Sequence, residues 1–135
     1  MAYWILKTDP DSYSVDDLER DGRTVWDGVA NAQALINIRQ MWPGDEALIY
    51  HSGDDRAILA TARIVSDPYP DPQLNDPKRA VVDVEMGRRL ERPVTLAAIK
   101  ADPTFADLAL VRQGRLSVVP VSDHHWQRLM EMIEG

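Results

Sequence analysis

A chain of 135 residues that is 44% hydrophobic and 27% charged fits one domain, which at this length buries roughly two-thirds of the surface its unfolded form exposes. Its 22 acidic against 15 basic residues give a net charge of -7, which disfavours broad neutralisation of duplex phosphates and leaves room only for a small local basic mouth. The absence of cysteine excludes a disulfide, a thiolate nucleophile and cysteine-ligated zinc. No apolar run approaches the ~18 residues of a spanning helix, and "MAYWILKTDP" lacks a signal peptide's basic region and apolar core, so no membrane partner and a cytoplasmic address are expected.

In chain order, "YWILK" (3–7) reads as a buried strand. "YSVDDLERDG" reads as a short helix with Ser14 as N-cap, Asp17 three residues later and Gly22 as the stop. "TVWDGVAN" is a non-helical connection into a second helix, on which Asn31 shares the apolar stripe of Ala34, Leu35 and Ile38; the Pro43-Gly44 turn ends it. "EALIYHS" (46–52), the turn "GDD" and "AILATARIVS" (57–66) form a hairpin, with Ile58, Ala60, Ala62 and Ile64 on one face. The four prolines of "DPYPDPQLNDP" (67–77) predict an extended loop. "RAVVDVEM" then resumes alternation, placing Ala80, Val82, Val84 and Met86 together. A short helix from Thr95 precedes Pro103. In "RLSVVPV", Pro120 places the strand at an edge or ends it. Ser122 caps a last helix carrying Trp126, Leu129, Met130 and Ile133 at helical spacing. Strands joined by local hairpins predict an α+β fold: a mixed, mostly antiparallel sheet or small barrel with helices at its ends.

No Gly-rich phosphate loop, H-E-x-x-H, G-x-S-x-G or dinucleotide fingerprint occurs, so no catalytic residue, metal ligand or cofactor is assigned. His124 and His125 are adjacent on a helix and diverge, which suits neither a shared metal nor a relay; they read as surface or helix-start residues. The pairs Asp16-Asp17 and Asp54-Asp55 fit helix-dipole and turn chemistry. His51 ends a strand beside Ser52, where it either lines a cleft or sits in a turn. Of the four tryptophans, Trp4 and Trp126 read as core and Trp42 as cover for the bottom of the core. Trp26 stands beside helix N–H donors and the Asn31 amide. That combination either stacks and reads a flat polar ligand, or fills the core while Asn31 caps backbone. Tyr69 either faces solvent or offers a second stacking surface.

The blocks "YWILKTDPDSYSVDDL", "WDGVANAQA", "GDEALIYHS", "IVSDPYPDP", "RPVTLAAIKAD" and "LALVRQGRLSVVPVSDHHW", in this order and across nearly the whole chain, resemble the EVE domain. The resemblance implies a single domain over residues 1–135 with a PUA-like fold, a mixed β pseudo-barrel ringed by helices, akin to YTH and ASCH domains. It also implies a pocket for a nucleobase, modified, in RNA or DNA. Carried over by block, Lys7 and Thr8 take the place of the family's Lys-Ser, Trp26 the aromatic place and Asn31 the amide three residues after Gly28. His51 with Ser52 forms the strand tip, and Arg112, Gln113, Arg115 and Ser117 lie at the rim. The chain departs from the family's Arg-Asn-Tyr-Gln-Ala-Arg-Asn at "ANAQALI". There Ala30, Ala32, Leu35 and Ile36 replace polar or aromatic residues, which removes phosphate contacts from that helix face.

The expectation is a non-catalytic reader of one flipped or single-stranded modified base. Stacking on Trp26 contributes ~1–3 kcal/mol, Asn31, Thr8 and Ser52 set the preference, and Arg112 and Arg115 hold the adjacent phosphate. On this view Trp26→Ala weakens binding about 5- to 150-fold at unchanged stability. Two rivals are a binder of a free nucleoside-like small molecule and an enzyme acting on nucleotides with His51 as general base.

Overall fold

The computed structural model describes residues 1–135. Its strands are β1 (Tyr3–Thr8), β2 (Arg23–Trp26), β3 (Glu46–His51), β4 (Ala57–Ile64), β5 (Tyr69–Pro70), β6 (Ala80–Thr95) and β7 (Val118–Val121). Its helices are α1 (Val15–Asp21), α2 (Ala32–Arg39), α3 (Leu96–Ala101), α4 (Ala109–Arg112) and α5 (Asp123–Glu134), with a 3-10 turn at Pro103–Phe105. One sheet runs β2-β6-β4-β3-β1-β7, and β5 pairs with β6 beside this path. The β1–β3 pairing is parallel and the others antiparallel.

Local chemistry accounts for these elements. Ser14 and Asp17 form a reciprocal capping box at the start of α1, and Gly22, at φ 73°, ends it where a left-handed turn favours glycine. The alternation in β4 buries Ile58, Ala60, Ala62 and Ile64 on one face, as the period-2 pattern requires. Thr95 caps α3 and Ser122 caps α5 through side-chain oxygens. The core is a single cluster of 34 buried residues centred on β1, β3, β4 and β6.

β6 extends well beyond the eight-residue strand expected from "RAVVDVEM". It continues through Gly87 to Thr95, with register shifts against β4 around Ala60. At Gly87 a Cβ would lie 2.8 Å from the Thr61 carbonyl oxygen, so only glycine lets β4 and β6 cross this closely. β2, expected as irregular connection, pairs with β6 from Arg23↔Glu85 to Trp26↔Val82.

Two other expectations change. Asn31 is exposed: it is the N-cap of α2, its side chain accepting the Ala34 N–H at 3.0 Å. The inward amide is Asn37, which is buried and donates from Nδ2 to the Val118 carbonyl at 2.8 Å, while its own oxygen accepts from Gln33. The helix thus starts one residue later than the stripe through Asn31 assumed. Trp42, expected as core cover, is 70% exposed. Trp4 is core, and its indole N–H donates to buried Asp45 at 3.0 Å.

Candidate functional site

The segments that follow β1 and β2 face each other across a cleft of about 540 Å³. Lys7, Thr8, Asp9, Ser12 and Tyr13 line one wall, from the end of β1 into the turn before α1. Thr24 through Val29, on β2 and the loop after it, line the other, and Ser117 closes the end next to β7. β2 and β7 stand at opposite ends of the sheet order, yet both ends border this one cleft. The sheet is therefore curled almost shut, and the cleft occupies its unclosed seam.

Each wall is held from below. The Lys7 N–H donates to the Ser117 carbonyl at 2.9 Å, which fixes β1 to the chain entering β7. The Ser12 and Tyr13 N–H groups both donate to the Asp9 carbonyl at 2.9 Å, and the Thr8 hydroxyl donates to the Tyr13 carbonyl at 2.7 Å. With its proton so engaged, Thr8 Oγ1 has lone pairs left to accept from a ligand. Tyr13 sets its ring edge-on to Trp26, with centroids 6.4 Å apart and planes at 88°. Its hydroxyl donates to Asp21 at 2.8 Å. Burial, reinforced by that carboxylate, raises the Tyr13 phenol above its ordinary range.

Trp26 is 6% exposed and belongs to the core cluster. The side chain fills the interior, with Asn31 capping backbone, and its edge borders the cleft. Truncation to alanine would cost about 3–5 kcal/mol of stability as well as a wall, so the expectation of unchanged stability does not hold. Around this wall the cleft carries hydroxyl residues (Thr8, Ser12, Thr24, Ser117), two carboxylates (Asp9, Asp27) and the Lys7 ammonium. An aromatic boundary with mixed donors and acceptors suits a flat polar ligand with both on its edge.

Of the residues singled out from sequence, Lys7, Thr8, Trp26 and Ser117 come together here. Ser52 lines an adjoining hollow instead. His51 is buried beneath α1: its Nε2 accepts the Val15 N–H at 3.0 Å, and its Nδ1 donates to Asp55 at 2.9 Å. Asn31 is occupied as a cap. Arg112 is exposed with Nη1 on the Ala106 carbonyl, and Gln113 and Arg115 are exposed on the loop before β7, outside the cleft. Ala30, Ala32, Leu35 and Ile36 also lie outside it. Tyr69 does not reach the cleft either. Its hydroxyl donates to Asp83 at 2.5 Å, a bond that pushes the phenol up to about 12. Asp9, Ser12, Tyr13, Thr24 and Asp27 went unread in the sequence. The available signal was position: "TDPDSY" follows a strand end, where loop side chains gather over a sheet.

His124 and His125 diverge as adjacent helical residues must. His124 is exposed, whereas His125 is buried rather than at the surface, with Nε2 3.1 Å from the Thr104 carbonyl and 3.0 Å from Asp107.

A curled, mostly antiparallel sheet ringed by short helices, with a cleft at its seam, defines a PUA-like α+β domain. The ASCH protein of Zymomonas mobilis shares this fold at 9% identity, over 96% of this chain and 94% of that one, with a TM-score of 0.62. The chain belongs to the EVE domain family, whose model matches residues 2–132. A solved protein from Rhodopseudomonas palustris is 38% identical, with a TM-score of 0.93, covering 99% of this chain and 94% of that one. Human thymocyte nuclear protein 1 is 27% identical over 98% of this chain and 74% of its own length. The human THYN1 protein, solved in complex with DNA containing 5-methylcytosine, superposes with a TM-score of 0.91 at 27% identity, over 100% of this chain and 99% of that one. No helix is long and apolar enough to cross a membrane.

Proposed function

We propose that this chain is a non-catalytic reader that seats one modified nucleobase of a nucleic acid in the cleft between Trp26 on one side and Lys7, Thr8 and Tyr13 on the other. The carrying observation is the cleft itself, an aromatic boundary faced by hydroxyls and carboxylates at the sheet seam. The DNA complex of the human relative supports 5-methylcytosine as the first base to try. A carboxylate accepts from a cytosine amino group, and Asp9 and Asp27 put two such acceptors in the cleft. A base inside a duplex cannot reach a recess of this kind, so it enters flipped or from a single strand. A hydrolytic or transfer role for His51 finds no support, because both imidazole nitrogens are engaged beneath α1.

The test is a titration of single-stranded and duplex oligonucleotides carrying one 5-methylcytosine or one cytosine, at low and moderate salt. Trp26→Phe and Asp27→Asn serve as variants that keep the core filled. The methylated single strand is expected to bind tightest. Partial loss of a stacking contact worth ~1–3 kcal/mol should weaken binding about 3- to 10-fold in Trp26→Phe, and Asp27→Asn should reduce the preference for cytosine-type bases. Equal affinity for all oligonucleotides, unaltered in both variants, would sink the reading. Binding of the free nucleoside with no salt response and no gain from the polymer would hand the cleft to a small metabolite.

A further inference from the structure

Behind the Lys7 wall lies a second hollow of about 200 Å³, bounded by Tyr50 and Ser52 of the β3 end, Arg56, Leu96 and Lys100 of α3, and Gly114 of the loop before β7. Lys7 borders both spaces. It sits opposite Tyr50 in the β1–β3 register, with its ammonium 5.7 Å from the centre of the Tyr50 ring and donating to the Gly114 carbonyl at 2.7 Å. The bond to Gly114 uses one of its three N–H groups and leaves two to offer.

The charge balance of the hollow is unlike that of the chain. Three cations, Lys7, Arg56 and Lys100, border it and no aspartate or glutamate does, in a chain of net charge -7. None of the three forms an ion pair; of the chain's 15 Lys and Arg, Arg20, Arg23, Arg89 and Arg128 do. Asp55, one residue before Arg56, is held by His51. Arg56 is also the only non-glycine residue with positive φ, at 41°, and its carbonyl accepts the Leu96 N–H at 2.8 Å. That bond fixes the turn carrying Arg56 against the start of α3, which carries Lys100. Holding a non-glycine residue in the left-handed region costs free energy that surrounding contacts must offset. Uncompensated positive charge held on such a turn beside an open hollow is the arrangement that takes an anion.

We propose that this hollow is a phosphate subsite, in which Arg56 and Lys100 hold the backbone phosphate next to the base seated in the cleft, with Lys7 as the bridge between base and phosphate. The inference rests on the base-reading role proposed above. It moves the phosphate contact from Arg112 and Arg115, which border neither space, to the β3–β4 turn and α3. It also gives the bound strand a direction, from the seam toward the tip of the β3–β4 hairpin.

The experiment compares 5-methyldeoxycytidine, its 3′- and 5′-monophosphates, inorganic phosphate and a methylated single strand, titrated against wild type and the double variant Arg56→Gln/Lys100→Gln. Arg63→Gln/Arg88→Gln, which removes two charges outside both spaces, controls for net charge. In wild type one monophosphate should bind about 10-fold tighter than the nucleoside, and which ester does so reports the strand's polarity. In the subsite variant that gain should vanish while nucleoside affinity stays within twofold. The salt slope of the oligonucleotide should fall by about 0.7, the value for one phosphate on a single strand. Inorganic phosphate binding as well as the monophosphate would make the hollow a free-anion site and overturn the inference. Equal affinity of nucleoside and both monophosphates, with the subsite variant matching the charge control, would overturn it and leave the base reading intact. Failure of wild type to bind any nucleoside or strand would remove the base reading and this inference together.

Discussion

His51 shows how a residue type that suggests chemistry can be used for architecture. The α1 helix starts directly above the end of β3, and its first N–H groups lack intrahelical partners. Ser14 and Asp17 satisfy part of that need, and the His51 imidazole, 6% exposed, accepts the Val15 N–H from below. Accepting there requires Nε2 to be unprotonated, so the Nδ1 proton goes to Asp55. His51→Ala should therefore leave a buried donor unsatisfied and cost about 1–3 kcal/mol of stability, read as a lower midpoint in urea denaturation, while nucleobase affinity of the folded fraction is retained. Loss of binding at unchanged stability would contradict this and return the imidazole to the cleft.

Asp102 plays a comparable part between elements. Its carboxylate accepts the Thr104 N–H at 2.9 Å, capping the 3-10 turn, and the Arg128 Nε–H at 2.7 Å, tying that turn to α5. The Thr104 backbone bond, followed by Arg128, lowers its pKa to about 2. A carboxylate whose folded pKa lies below its unfolded value near 3.9 stabilises the fold fully above about pH 4, and that contribution is lost as pH falls toward 2. Asp102→Asn should thus melt below wild type at pH 7, and the gap should close between about pH 4 and pH 2. A gap independent of pH would mean that packing, not ionisation, joins these elements. The sequence showed most elements because their signals are local: the capping box of α1, the alternation of β4, and Thr95 and Ser122 as caps. β2 stayed hidden because four residues are too few for a period to declare itself. The far half of β6 stayed hidden because Gly87, the charges around Leu90 and Pro93 break alternation where the strand bends across β4. The site was half legible for a related reason. Lys7, Thr8 and Trp26 stand at strand ends, whereas Ser12 and Tyr13 come to face Thr24 only once the sheet curls and brings its distant ends together.

For the molecule as a whole, the curled sheet has β2 and β7 at the two ends of its main order, each with one unpaired side. The Lys7–Ser117 bond fixes the antiparallel phase of β7. In that phase the backbone groups of Val119 and Val121 turn to β1, and those of Val118 and Pro120 turn away. Pro120 has no N–H to offer, and the Val118 carbonyl is occupied by Asn37 of α2. The outer side of β7 thus gives a foreign strand no free donor at Pro120 and no free acceptor at Val118. Natural sheets avoid recruiting one another by disarming their borders in this way. Asn37→Leu, similar in volume and apolar, would expose that acceptor. The variant should then self-associate with rising concentration, read as a growing sedimentation coefficient, where wild type holds a constant value. Unchanged sedimentation would mean that the bulk of α2 alone shields β7. The buried Asn37 amide, which the sequence did not mark, is by this account the guard that keeps this sheet from templating β-structure with copies of itself.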